Sequence, residues 1–169
     1  MIHKTAIISK KAIIGSNVSI GAYSIIGDNG EIGDGTIREN HVLIEGPTKV
    51  GGDNKILSLK ASGGDRQDRT YKNELTSLEI GDKNTIREYC TINRGTSQDK
   101  YKTSIGNNNW IMAYVHIAHD CVIGNNAIFA NNATLAGHVE VCDWAIFGGF
   151  TGAHQFTKIG AHSFIGMNT

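Results

Sequence analysis

The sequence contains little proline, few cysteines and no surplus of either charge. Of its 169 residues, one is proline and three are cysteines, Cys90, Cys121 and Cys142, with no C-x-x-C pair among them. This excludes proline-rich disordered proteins and disulfide scaffolds, and it favours a reducing compartment. Lys plus Arg and Asp plus Glu each number 16, so no basic excess is available for nucleic-acid binding.

Long apolar runs are also missing. The N-terminal segment has no signal-peptide core, and no later window offers the roughly 18 uncharged apolar residues of a membrane span. The length is that of one ordinary domain. We therefore predict a single soluble, cytoplasmic domain with no integral membrane segment and no nucleic-acid partner.

An apolar residue recurs at every sixth position. From Ile8 to Ile56 eight of nine such positions are apolar, and only Arg38 breaks the series. After an interruption the series resumes at Ile80, slips by one residue, and runs unbroken from Ile105 to Ile165, while small or β-branched residues recur four positions later. A period of six is neither helical nor a strand alternation. It is the hexapeptide pattern of a parallel β-helix, in which three hexapeptides form one triangular coil.

The repeat predicts an all-β, single-stranded parallel β-helix of about eight triangular coils spanning residues 1–169. Two polar segments, near 62–77 and 94–103, interrupt the count and are predicted to be extruded loops. Loops on a rigid scaffold often carry binding or catalytic residues. Glycine follows many of the apolar positions, where its permissive backbone is expected to relieve crowding at the corners.

Residues 18 apart are expected to stack on adjacent coils, about 5 Å apart. This spacing places the His119 imidazole near the Gly137 backbone and Asp120 near His138. The sequence therefore predicts a base, a bare backbone N–H and a carboxylate in one small area.

The segments that contain these residues resemble a known enzyme family. His116 to Cys121, Ala130 to His138 and His154 to Phe156 are similar to the bacterial acyl-carrier-protein:UDP-N-acetylglucosamine O-acyltransferases that begin lipid A synthesis, and the likeness covers essentially the whole chain. It implies a left-handed coil and transfer of a 3-hydroxyacyl group from acyl carrier protein to the 3-hydroxyl of UDP-N-acetylglucosamine. No permanently bound cofactor is implied, because phosphopantetheine arrives on the carrier protein. A homotrimer with the site between subunits is expected, since one flat prism face cannot enclose a substrate.

The resemblance also implies a role for individual residues. His119 matches the general base for the sugar hydroxyl, Gly137 the backbone donor to the oxyanion, and Asp120 a carboxylate that favours the imidazolium. No metal is implied. Positions expected to contact the nucleotide sugar or line the acyl cleft are Gln67, Asp68, His116, His138, His154 and Gln155.

The chain departs from the family pattern at several positions. Thr70 stands where a lysine is usual, and Asn93 where a histidine is usual. Met167 occupies a position that is often glycine at the floor of the acyl cleft, which implies a shorter acyl chain. Family members continue into further coils and a C-terminal helical domain, so the resemblance implies that this 169-residue chain is a fragment or shortened form lacking that domain.

Three other functions remain open. A γ-carbonic-anhydrase type of zinc enzyme shares the fold, and His116, His119 and His138 could imitate its ligands. A noncatalytic β-helix scaffold would lose no activity when His119 is changed. A serine or sugar acetyltransferase that uses coenzyme A is the third. The sequence leaves open both the acyl length and the choice between N-acetylglucosamine and its 3-amino analogue.

Overall fold

The computed structural model describes residues 1–57, 60–64 and 76–169. Its regular structure consists of 24 short strands, and the described residues form no helix long and apolar enough to cross a bilayer. In chain order the strands are β1 (Ile7–Ile8), β2 (Ile13–Ile14), β3 (Ser19–Ile20), β4 (Ile25–Ile26), β5 (Gly30–Ile32), β6 (Ile37–Arg38), β7 (Val42–Ile44), β8 (Thr48–Val50), β9 (Lys55–Ile56), β10 (Lys60–Gly64), β11 (Ser77–Ile80), β12 (Thr85–Ile86), β13 (Thr91–Asn93), β14 (Lys102–Ile105), β15 (Trp110–Ile111), β16 (His116–Ile117), β17 (Val122–Ile123), β18 (Ile128–Phe129), β19 (Thr134–Leu135), β20 (Glu140–Val141), β21 (Ile146–Phe147), β22 (Gly152–Ala153), β23 (Lys158–Ile159) and β24 (Phe164–Ile165).

Every third strand belongs to the same parallel sheet, so three eight-stranded sheets enclose a triangular prism. The first sheet runs from β1 to β22, the second from β2 to β23 and the third from β3 to β24. Adjacent coils pair through residues 18 apart, as in Ile7 with Ile25 and Ile117 with Leu135. The predicted fold is confirmed: the chain is a left-handed parallel β-helix of eight coils.

The sixth-position side chains point into the prism. Ile20, Ile56, Ile117 and Leu135 are at most 1% exposed, and Arg38, which interrupts the series, is itself only 2% exposed. The series four residues later also points inward, and it includes three asparagines that the small-residue pattern did not anticipate. Asn84 donates its N–H to Oδ1 of Asn54 at 2.8 Å, and Asn109 donates to Oδ1 of Asn84 at 2.9 Å. These buried amides satisfy backbone groups that an aliphatic side chain would leave unpaired.

Glycine relieves crowding between the coils, as expected, but the expectation that it does so through a permissive backbone conformation is wrong. Every sixth residue from Asn108 to Asn168 has φ between 56° and 64°, and none of these residues is glycine. Most of the glycines after the apolar positions are instead required by close approach between coils. A Cβ on Gly33 would lie 2.5 Å from the carbonyl carbon of Gly51 on the next coil, which real side chains do not tolerate.

Two insertions interrupt the regular coils. β10 ends at Gly64 and β11 begins at Ser77, so strand structure reaches into the first of the predicted loop ranges, 62–77. Gln67, Asp68 and Thr70 lie outside the described residues. The second insertion, residues 94–101, runs from the end of β13 to the start of β14, which begins one residue before the predicted end of this loop at 103.

Candidate active site

The predicted site lies on the corner between the first and second sheets. His119 and Asp120 follow β16, Gly137 and His138 follow β19, and Phe156 follows β22. The three corners stack because Ile117 pairs with Leu135, which in turn pairs with Ala153. The stacking predicted from the 18-residue spacing is therefore confirmed.

His119 and Asp120 form a hydrogen-bonded pair. Nδ1 of His119 lies 2.9 Å from Oδ2 of Asp120, and the two side chains are 15% and 0% exposed. Oδ1 of Asp120 accepts the N–H of Thr96 at 2.8 Å, and the Asp120 N–H donates to Oγ1 of Thr103 at 2.8 Å. Because Nδ1 is held by the carboxylate, Nε2 is the ring nitrogen that remains for a substrate.

The electrostatics of this corner favour an ionised Asp120. Burial raises the pKa of Asp120, but hydrogen bonds from His119 and Thr96 outweigh burial and hold the pKa below its ordinary value. On the neighbouring sheet face, burial and the charge of His119 lower the pKa of His116. A fixed carboxylate beside His119 therefore stabilises a positive charge that forms on the imidazole.

Gly137 brings the backbone against the His119 ring. A Cβ on Gly137 would lie 2.5 Å from Cε1 and 2.7 Å from Nε2 of His119. Within the described part of the chain the Gly137 N–H donates no hydrogen bond, whereas Ala136 and His138 on either side donate to the coils above and below.

The next corner shows how corresponding N–H groups are bonded where a side-chain acceptor is present. At the corner between the second and third sheets, the corresponding N–H of Asn107 donates to Oδ1 of Asn125 at 2.8 Å, and that of Asn125 donates to Oδ1 of Asp143 at 2.8 Å. No such side chain is bonded to Gly137, so its donor is available to a ligand oxygen.

His138 completes the cluster. Its ring lies edge-on to His119, with centroids 5.0 Å apart, and stacks on Phe156 at 4.6 Å. Its Nδ1 lies 2.7 Å from Oδ2 of Asp99, which comes from the second insertion. His116 is turned to the side, where its Nδ1 lies 2.7 Å from Oγ1 of Thr91.

The remaining predicted residues are placed less centrally. His154 and Gln155 are exposed on the coil that follows Gly137. Met167 is 67% exposed and follows β24, on the corner between the third and first sheets. Within one chain Met167 therefore does not share a corner with His119. Asn93, where the family usually has histidine, is 7% exposed.

The spacing of the repeat does not predict that Asp99 and Thr96 lie at this site. Both lie in an insertion that does not follow the six-residue repeat, so no stacking rule places them. The one signal available was that the loop is polar and rich in hydrogen-bonding groups.

The arrangement gives less support to zinc catalysis by three histidines and to catalysis by a cysteine nucleophile. Among the described residues, the possible metal ligands within 4.8 Å of one another are His119, Asp120 and His138, so the three histidines of the zinc alternative are not gathered together. Cys121 is buried, and burial raises its pKa to about 12, which disfavours a thiolate nucleophile.

Comparison with known proteins identifies relatives of this arrangement. Residues 102–137 match the bacterial transferase hexapeptide family (six repeats). A curated protein of Verminephrobacter eiseniae named acyl-[acyl-carrier-protein]–UDP-N-acetylglucosamine O-acyltransferase is 62% identical over 125 residues, which cover 74% of this chain and 48% of that protein. The chain thus spans about half the length of this curated relative.

Solved structures agree over the full fold. The UDP-N-acetylglucosamine acyltransferase of Francisella novicida superposes with a TM-score of 0.98 at 42% identity, covering 100% of this chain and 62% of that one. The UDP-N-acetylglucosamine acyltransferase of Bacteroides fragilis gives a TM-score of 0.81 at 34% identity, covering 95% and 67%.

Proposed function

Because the chain belongs to the UDP-N-acetylglucosamine acyltransferase family of hexapeptide-repeat proteins, we propose that it is an O-acyltransferase. The reaction moves a 3-hydroxyacyl group from acyl carrier protein to the 3-hydroxyl of UDP-N-acetylglucosamine, the first step of lipid A biosynthesis. The observation that carries this proposal is the His119–Asp120 pair lying against the unpaired N–H of Gly137.

His119 acts as the general base. Its Nε2 accepts the proton of the sugar 3-hydroxyl as the hydroxyl oxygen attacks the thioester carbonyl carbon. Asp120 holds Nδ1 and stabilises the imidazolium. When the tetrahedral intermediate collapses, the carbon–sulfur bond breaks and the imidazolium returns its proton to the leaving thiolate, so no covalent enzyme intermediate is needed.

Gly137 stabilises the negative charge that develops on the thioester oxygen. A preorganised N–H at such a position contributes about 3 to 4 kcal/mol in comparable sites. Glycine suits the position because a side chain there would collide with the His119 ring. The site thus supplies both a base and an oxyanion donor from adjacent coils.

The other predicted site residues are assigned to contacts with the substrates. In this proposal His116, His138, His154 and Gln155, with Gln67 and Asp68 of the first insertion, contact the sugar nucleotide or the acyl chain. Met167 limits the acyl length from a neighbouring subunit. No resident cofactor takes part, because the phosphopantetheine thioester arrives on the carrier protein, and we place the reaction in the cytoplasm.

An acyl-transfer assay read by mass spectrometry tests this function. The chain is mixed with UDP-N-acetylglucosamine and 3-hydroxyacyl carrier proteins of several lengths. We expect one acyl group on the sugar nucleotide, with the shorter donors preferred because of Met167. The matched acceptor that lacks the 3-hydroxyl should remain unmodified, since it has no nucleophile at that carbon.

Other outcomes would point to the alternatives. Transfer from acetyl-coenzyme A but not from the carrier protein would indicate a coenzyme A acetyltransferase. No product with any donor would favour a noncatalytic scaffold. A preference for the longest donor would contradict the role given to Met167.

We also propose that the chain forms a homotrimer. Trp110, Ile128, Ile146 and Phe164 form one column on the outer face of the third sheet, where Trp110 is 45% and Phe164 73% exposed. This column lies on the sheet opposite the site corner. A closed ring uses two different patches of each subunit, so the column of one subunit can face the site side of the next.

Sedimentation of the wild-type chain and of Trp110→Lys tests the assembly. We expect a trimer for the wild type and dissociation for the variant, because a lysine in the apolar column would have to bury its charge. Lys55→Arg, on the same sheet but conservative, serves as control. A wild-type monomer that carries full acyl-transfer activity would contradict the proposal.

A further inference from the structure

The insertion at 94–101 contacts the imidazole of His138 directly and the imidazole of His119 through the carboxylate of Asp120. Its Thr96 N–H donates to Oδ1 of Asp120, the carboxylate that holds His119. Three residues later, Asp99 holds His138 at 2.7 Å. The adjacent Lys100 pairs with Glu140 at 3.2 Å, 40 residues further along the chain. One loop is thus attached to two successive coils at the point where their histidines lie side by side.

The result is a second carboxylate–imidazole pair next to the first. Asp120 belongs to the corner itself and is fully buried, whereas Asp99 reaches in from the loop and keeps 35% of its side chain exposed. In both pairs the carboxylate binds Nδ1. A carboxylate that accepts the Nδ1 proton fixes the tautomer and the ring orientation of a neutral histidine and directs Nε2 to the opposite side.

The remaining contacts of His138 do not fix its ring. Stacking on Phe156 sets the plane of the His138 ring, since the planes of the two rings are 15° apart. A His138 ring flipped by half a turn would stack on Phe156 equally well. His119 meets His138 edge-on, and no hydrogen bond joins the two imidazoles. Asp99 is therefore the contact that distinguishes one orientation of His138 from the other.

We propose that Asp99 is a positioning residue, which fixes the tautomer and orientation of His138 so that its Nε2 accepts a hydrogen bond from the sugar nucleotide. The kinetic part of this inference rests on the proposed function. Without Asp99, His138 samples both orientations and both tautomers, and only a fraction of molecules present the acceptor. We expect the loss mainly in KM for the sugar nucleotide, since the base and the oxyanion donor remain in place.

The test compares Asp99→Ala with Asp99→Glu and Lys100→Ala. Imidazole nitrogen chemical shifts report the tautomer of His138 in the protein alone. We expect the Nδ1–H tautomer in the wild type, a mixture in Asp99→Ala and recovery in Asp99→Glu. In the assay Asp99→Ala should raise KM for the sugar nucleotide about tenfold with a smaller change in kcat. Lys100→Ala loosens the same loop without touching His138 and should leave both readouts unchanged.

The outcomes separate the two ideas. An unchanged His138 tautomer in Asp99→Ala, or an equal KM change in Lys100→Ala, would overturn the role of Asp99. A wild-type chain that transfers no acyl group would overturn the proposed function, while the tautomer measurement still decides whether Asp99 orients His138.

Discussion

We expect replacement of His119 by alanine to lower kcat/KM for the proposed acyl transfer by about 10²- to 10⁴-fold, the range for loss of a general base. The physical reason is that Nε2 of His119 is the nitrogen left for the sugar hydroxyl once Nδ1 is held by Asp120. The donor of Gly137 remains, so some activity above the uncatalysed reaction is expected. Initial rates with saturating carrier-protein donor measure the change.

The matched control is His41→Ala. His41 also occupies a corner, with φ of 57°, and its ring stacks on Tyr23 at 5.3 Å. It lies on an early coil, away from His119, so its loss should leave the rate unchanged. If His119→Ala kept wild-type rates, the assignment of the base would be wrong. A lowered unfolding midpoint in His119→Ala alone would mean that misfolding, rather than lost chemistry, explains its rate.

The fold could be predicted because the six-residue repeat carries most of its information. A side chain such as Ile117 or Leu135 can be buried only if each hexapeptide forms one side of the triangle. The 18-residue stacking then follows from three sides per coil. The proximity of His119 and Gly137 could be predicted for the same reason, since two residues 18 apart at a corner must lie on adjacent coils.

The backbone conformation at the corners could not be predicted from the repeat. The left-handed conformation falls three residues after most of the apolar positions, on residues such as Tyr114, Asp120 and His138. Asn, Asp and His tolerate this region better than other non-glycine residues, but aromatic residues do not favour it. The stacking of coils therefore imposes the conformation, and propensity alone would have placed it at glycine.

The sequence predicts the ranges of the two insertions but not the residues that they contact on the coils. The repeat predicts where a loop leaves the prism and not where it returns, so the contact between Asp99 and His138, 39 residues apart, has no counterpart in the periodicity. Gln67 and Asp68 lie outside the described residues, and their substrate contacts stay a prediction. The role of Met167 also stays a prediction, because it depends on a second subunit.

Arg38 is the position where the sequence and the fold conflict most. It occupies a sixth position between Ile20 and Ile56 in the third sheet and is 2% exposed. Within the described part of the chain, none of its three guanidinium nitrogens has a hydrogen-bond partner. Burial lowers its pKa to about 9, so the side chain is still charged at neutral pH. An uncompensated buried charge costs several kcal/mol of folding stability. Replacing it by an apolar side chain often raises the free energy of unfolding.

Arg38→Met should therefore raise the free energy of unfolding at pH 7, by about 3 to 5 kcal/mol given the size of the pKa shift. The pH dependence of this stability difference tests whether the buried charge of Arg38 is its cause. Because the folded pKa lies below the unfolded one, the wild type gains stability as pH rises above about 9, and the advantage of the variant should narrow there. Urea unfolding of both chains at pH 7 and pH 10 measures this. Arg38→Lys, which keeps a charge, is the control, and equal stability of Arg38→Met and wild type at pH 7 would show that the guanidinium is compensated.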